Sequence, residues 1–245
     1  MKNFFSSIRM RLVPVSCVVL VIVLLAACSK FDNDDNNNNS SAAGLMSFNL
    51  APDQSAVGVA LSGSNLTNAP LGYTNYSGTY QPIYPGNRAV ESYNYNSDSS
   101  IATLNYNFET NKYYSLFVAG ANGVYTNIVT RDNFDSLSSG SGKTYVRYIN
   151  AIPDSTKPTV SITANGNDVI NAPAGFSVVS DFVAADPGQV TITVKNGSTI
   201  DANRTISLEQ GKVYTVLLTG LPEATDTTKA VQIKYILNGS LATGQ

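Results

Sequence analysis

The chain of 245 residues has no histidine and two cysteines, Cys17 and Cys28. Without imidazole, neither a Ser-His-Asp nor a Cys-His nucleophile can be assembled, and the usual nitrogen ligands of zinc are missing. Carboxylates remain, and two acids flanking a bond are the machinery of glycosidases. Two acid pairs recur at matched positions of an internal repeat: Asp53 with Asp154, and Glu109 with Glu209. Asp53 and Asp154 each follow a proline in a turn, where an aspartate caps backbone N–H groups. Glu109 and Glu209 stand beside the turn into a tyrosine-bearing strand, a place for a solvated edge. No catalytic pair is expected from these acids, and neither a metal nor a cofactor. Asp32, Asp34 and Asp35 lack the glycine and the distal glutamate of a helix-loop-helix calcium site.

Cys28 has a different chemistry in view. Lys2, Arg9 and Arg11 precede an uncharged apolar run from Val15 to Ala27, the layout of a secretory signal peptide over 1–27. The run is too short for a spanning helix, which needs roughly 20 residues. Leu25-Ala26-Ala27-Cys28 resembles the lipobox of bacterial lipoproteins, which implies cleavage before Cys28 and lipidation of its thiol. Buried acyl chains would then hold the protein on a membrane, each methylene contributing ~0.8 kcal/mol. With the signal removed, 12 basic residues face 17 acidic ones, without a Lys/Arg cluster. That balance speaks against nucleic acid as a partner. It also leaves no cysteine for a disulfide, so apolar burial must hold the fold.

Residues 28–43 are almost wholly polar and predict a flexible acidic, Asn-rich tether. Past them the chain repeats itself once. FETNKYYSLFVAG (108–120) matches LEQGKVYTVLLTG (208–220), NAPLG (68–72) matches NAPAG (171–175), and NLAPD (49–53) matches NAIPD (150–154). Two domains are predicted, 44–134 and 144–245, joined by the Ser/Gly-rich linker 135–143.

In the second copy QVTITVK and VQIKYIL alternate apolar and polar residues, and KTYVRYINA, TVSITA, FSVVSDFVA, RTISL and KVYTVLLT are further strand candidates. Seven short strands per hundred residues predict an all-β chain of two tandem immunoglobulin-like β-sandwiches, with a small barrel as the other architecture. Each copy resembles the bacterial domain-of-unknown-function 4397 family, whose pattern is an N-x-x-P-D-like turn after an opening strand, a central P-G turn and a closing G-K-x-Y-T strand ending in glycine. Copy two carries VRYINAIPD, DPGQVTITV and GKVYTVLLTG; copy one carries LMSFNLAPD, YPGNRAV and NKYYSLFVAG, with Asn111 for Gly211 and Ser115 for Thr215. The resemblance implies exported, often lipid-anchored β-domains and brings no chemistry with it.

Ten of fourteen tyrosines fall between Tyr73 and Tyr125, in copy one. Tyr73, Tyr76 and Tyr106 match Phe176, Val179 and Ile206, and Tyr80 matches Phe182 or the adjacent Val183; all four are expected to be core. Tyr84, Tyr93 and Tyr95 match Asp186, Lys195 and Gly197, so they are expected to be exposed and to form a contact surface for a protein or glycan ligand. Asp135-Ser136-Leu137 resembles the D-[ST]-hydrophobic motif of bacteroidete O-glycosylation, which makes Ser136 a modification candidate. The acidic stretch after Cys28 resembles a surface-export signal of bacteroidete lipoproteins. These features lead to the expectation of a lipid-anchored outer-membrane protein, surface-exposed rather than periplasm-facing, acting as a non-enzymatic binding or adhesion module. A structural or accessory subunit of a surface assembly is the alternative, and a carboxylate-based hydrolase is a remote one.

Overall fold

The computed structural model describes residues 42–197 and 199–241, and the backbone of 30–31. The signal peptide 1–27, Cys28 and most of the 28–43 tether lie outside the described residues. Among the described residues no helix is long and apolar enough to cross a membrane.

A short strand, β1 (Lys30–Phe31), precedes domain one. Domain one consists of β2 (Ala43–Asn49), β3 (Val57–Leu61), β4 (Ser64–Asn65), β5 (Gln81–Ile83), β6 (Gly86–Asn94), β7 (Ser100–Phe108), β8 (Tyr113–Ala121) and β9 (Val124–Asp132). Domain two repeats them in order as β10 (Thr144–Asn150), β11 (Thr159–Ala164), β12 (Asn167–Pro173), β13 (Val183–Ala185), β14 (Gly188–Lys195), β15 (Asp201–Leu208), β16 (Lys212–Thr219) and β17 (Gln232–Leu241). Each domain is a sandwich of two sheets. In domain one these are β5-β2-β8-β9 and β4-β3-β6-β7; in domain two, β13-β10-β16-β17 and β12-β11-β14-β15, with β1 added parallel to β17. The opening strand runs parallel to the closing one in both copies, β2 beside β8 and β10 beside β16.

Each repeat has eight strands rather than the expected seven, and the FSVVSDFVA segment is not one strand. Only its last two residues pair continuously, in β13 (Val183–Ala185), while Val179 makes an isolated bridge to Ile149. The additional strand is β12, which forms a hairpin with β11 around Asn165 and Gly166, both at positive φ. Asn-Gly is the dipeptide that such a two-residue turn demands.

Local chemistry explains the repeated motifs. Asn49 and Asn150, both fully buried, accept a hydrogen bond from the backbone N–H two residues on, at Ala51 and Ile152. Their amides donate across to the carbonyls of Leu71 and Ala174, which ties the turn after the opening strand to the NAP loop. Tyr114 and Tyr214 each take the N–H of the glutamate five residues upstream, at 2.9 and 3.2 Å. This is the tyrosine corner of immunoglobulin-like sandwiches, present once per copy. Gly120, next to last in β8, and Gly220, just past β16, have φ 120 and 111; a Cβ there would stand 2.2 Å from the carbonyl oxygens of Val124 and Ala230.

The two opening and two closing strands are buried on both faces. One face of each fills its own sandwich: Leu45, Tyr114 and Leu116 in domain one, and Val146, Tyr148, Tyr214 and Val216 in domain two. The other face meets the neighbouring domain. Met46, Phe48, Leu50, Phe117 and Ala119 of domain one form a single core with Ile149, Ala151, Leu217 and Ile236 of domain two. Tyr76 and Tyr80, matched to core positions of the repeat, pack on this shared core.

Polar groups are sealed inside the same interface. Arg147 places Nη1 2.6 Å from Asp132 Oδ1, donates through Nη2 to Ser115 and through Nε to Thr215, and lies 4.3 Å from the Phe182 ring centroid. Asp132 Oδ2 also accepts from Ser115 and from the Tyr80 hydroxyl, and Asn238 donates to Tyr80. Burial, then the Asp132 charge, push the Tyr80 phenol well above its ordinary range. At the far end of the interface Thr219 donates to the Leu50 carbonyl.

The 135–143 segment is correspondingly more ordered than a free Ser/Gly linker. It follows the buried Phe134, starts within a single 3-10 turn, Phe134–Ser136, and is held at Ser138 by both backbone groups, which bond the Tyr145 hydroxyl.

Candidate functional site

Three of the four repeat-matched acids have side chains engaged in structure, while Glu209 is engaged through its backbone N–H to Tyr214. Asp53 accepts from the Asn122 N–H at 2.7 Å and from the Tyr125 hydroxyl at 2.8 Å, and Asp154 caps the Thr156 N–H. Glu109 faces Arg131 at 3.2 Å on the surface. Among the described residues no three His, Cys, Asp or Glu side chains converge as metal ligands would.

The three tyrosines expected to share a surface do not do so. Tyr84 is 81 % exposed at the entrance of β6. Tyr93 stands at the other end of that strand, roughly 25 Å away at the usual rise per residue. Tyr93 is also not exposed: it is 8 % accessible. Its register partner in β3 is Gly58, and a Cβ there would lie 2.2 Å from the Tyr93 ring. The missing side chain lets the ring lie flat on the outer face of the sheet. Its match in the second copy, Lys195, faces Thr159 instead and stays in solvent. The polarity of the matched position therefore misreports Tyr93, because the deciding residue is on the neighbouring strand.

Tyr95 covers Tyr93, with ring centroids 6.3 Å apart and planes 16° from parallel. It is half-buried, and its hydroxyl donates to the Asn68 carbonyl. Asn68 belongs to the long connection between β4 and β5, which walls a groove of about 400 Å³ lined by Thr67, Asn68, Leu71, Asn75, Ser77 and Gln81 among others. The lining is amide and hydroxyl over an apolar floor, and it is uncharged. Gln81 Oε1 is buried and without a hydrogen-bond donor among the described residues. Sequence reasoning missed the groove, although its wall is the repeat-matched NAP motif.

Ser136 is exposed, and its hydroxyl donates to the Asn133 carbonyl. It lies at a polar cleft of about 350 Å³ between the domains, which Arg131, Asn133, Arg147, Ser180 and Asp181 also line. Its neighbour Asp135 is engaged by Lys112.

A family model described as a domain of unknown function (DUF4397) matches residues 43–156 and again 144–234. No functionally curated protein matches the sequence. Solved structures also match, two of them as follows. One is a proposed cell-adhesion protein of Bacteroides uniformis ATCC 8492, 11 % identical, covering 81 % of this chain and 99 % of its own, at TM-score 0.23. The other is a proposed cell-adhesion protein of Bacteroides eggerthii DSM 20697, also 11 % identical, covering 82 % and 98 %, at TM-score 0.26.

Proposed function

The chain belongs to the DUF4397 family, in two tandem copies, and from that premise we propose that it is a lipid-anchored protein of the cell envelope that binds a ligand and does no chemistry on it. The observation that carries this reading is the uncharged groove beside the Tyr93–Tyr95 stack, with an unpartnered acceptor at Gln81. A half-buried aromatic face next to amide and hydroxyl groups suits a sugar ring, which offers C–H groups to the aromatic and hydroxyls to the amides. Glycan is accordingly the favoured ligand class.

Three of the four repeat-matched acids support a non-catalytic role, since Asp53 and Asp154 cap backbone and Glu109 is paired with Arg131. An assembly subunit would need an apolar sheet face left free for its partner. That face is spent between the two domains themselves, which favours the binding module. Anchoring through Cys28 and an outward-facing position on the outer membrane rest on the signal, the lipobox-like tetrapeptide and the acidic stretch after it, and belong to the same proposal.

Glycan-array binding by the chain from Ser29 onward, compared with Tyr95→Ala and Gln81→Ala variants, tests the ligand. Binding that both variants weaken supports the groove; glycan binding unchanged in both removes it. Fatty-acid labelling of the full chain against Cys28→Ala, with protease shaving of intact cells, tests anchor and orientation separately. Intact-mass measurement of the native protein tests modification at Ser136.

A further inference from the structure

The two halves of the domain interface are made from equivalent positions of the repeat. Phe48 and Ile149 share one core, as do Phe117 and Leu217, and Tyr80 and its match Phe182 both pack on the neighbouring cluster around Phe134 and Tyr145. The charges break the equivalence. Arg147 pairs in register with Thr215, as Met46 of domain one pairs with Ser115, so an arginine stands where the other copy has methionine. Asp132 accepts from Ser115 at 2.8 Å, as Asn238 accepts from Thr215 at 2.6 Å, so a carboxylate stands where the other copy has an amide.

We propose that this ion pair makes each domain face a docking surface for the other kind of domain and excludes its own kind. Two domain-one faces brought together would bury two Asp132 carboxylates opposite Met46, with no cation. Two domain-two faces would bury two Arg147 guanidinium groups opposite Asn238, with no anion. Burying an unpaired charge is among the largest penalties available to an interface. Only the mixed pairing places Arg147 on Asp132. The apolar residues supply attraction without regard to charge; the ion pair supplies discrimination, which needs an element that repels the wrong partner. The duplicated chain is thereby kept as one closed unit, each domain face satisfied by the other domain of the same chain. This inference stands apart from the groove and does not depend on it.

The test uses the chain from Ser29 onward with a protease site inserted between Gly140 and Ser141, cut after folding and examined by native mass spectrometry after incubation. The expected result is cross-paired halves only. In the Asp132→Asn/Arg147→Met double variant both domains carry the methionine and amide of the other's positions. Self-pairs should then rise at least ~10-fold, the ratio that a modest difference in pairing free energy produces. If that variant fails to fold, the exchanged pair Asp132→Arg/Arg147→Asp serves, with exclusive cross-pairing expected again. Wild-type halves that separate, wild-type halves that self-pair freely, a folded double variant without self-pairs, or an exchanged pair that self-pairs would each overturn the proposal.

Discussion

Arg147 of domain two sits 2.6 Å from Asp132 of domain one, with 2 % and 0 % of the two side chains left to solvent. The hydroxyls of Ser115, Thr215 and Tyr80 complete the surroundings, so both charges are hydrogen-bonded as well as paired. Removing one partner strands the other in a dry interface. Asp132→Asn and Arg147→Met should each destabilise the protein by about 3–5 kcal/mol in urea denaturation, and the double variant by clearly less than their sum. Strict additivity would mean that the two groups do not act together. Raising salt should shift the wild-type midpoint little through this pair, since screening acts on exposed charges.

Tyr80 links that pair to pH. Burial and the Asp132 charge raise its folded pKa above the unfolded value of about 10. The folded state therefore holds a proton that the unfolded state loses first. The stabilisation is fully present below about pH 10 and falls as pH rises beyond it, by up to ~1.4 kcal/mol per pH unit for one proton. Tyr80→Phe should cost about 1–3 kcal/mol at neutral pH, because Asn238 loses its acceptor. It should also flatten the alkaline decline by about one proton. An unchanged slope in thermal unfolding between pH 9 and 11 would show that other groups set it.

The first copy departs from the family pattern at Asn111, which stands at Gly211 of the second. Both residues have positive φ, 59 and 70. Asparagine is among the few residues that visit this region readily, so the departure keeps the turn. Asn111→Gly should leave stability within about 0.5 kcal/mol, the relief of strain offset by chain entropy. Gly211→Val should cost about 1–2 kcal/mol by backbone strain alone, as nothing lies within 4 Å of its Cβ position. Equal effects of the two changes in urea denaturation would refute this account.

The features legible in the sequence are those written along one strand or in one turn. Alternation in QVTITVK and the matched NAPLG and NAPAG segments reveal strands and duplication without any contact between them. The domain interface was less accessible for a physical reason. Strands such as YYSLFVAGA and KVYTVLLT, buried on both faces, lose their alternation, and nothing in the run says what covers the second face. Arg147 and Asp132 look like ordinary surface charges until the chain brings them together. β12 was missed because Asn167, Asp168 and Asn171 look like loop residues, although the preceding Asn-Gly pair announced a hairpin. Tyr93 fails as an exposed residue because its fate is decided by Gly58 on the adjacent strand.

That dependence yields a last prediction, which separates the three tyrosines by energy. Tyr93 buries its ring between the sheet over Gly58 and the face of Tyr95, so Tyr93→Ser should destabilise by about 1.5–3 kcal/mol, the value of withdrawing a large apolar side chain from water. Tyr84 touches little and Tyr84→Ser should stay within about 0.5 kcal/mol. Tyr95→Ser should fall between them in stability and, under the proposed glycan reading, should weaken binding, since its hydroxyl holds the Asn68 wall of the groove. Gly58→Val needs no change at the tyrosines to disturb them. Its Cβ would occupy the space of the Tyr93 ring, so the ring must leave the sheet, and near-ultraviolet circular dichroism of the tyrosines should weaken while the far-ultraviolet β signal remains. If Gly58→Val left the tyrosine signal and stability unchanged, the Tyr93 ring would not lie against that strand, and the platform assigned to Tyr95 would lose its support.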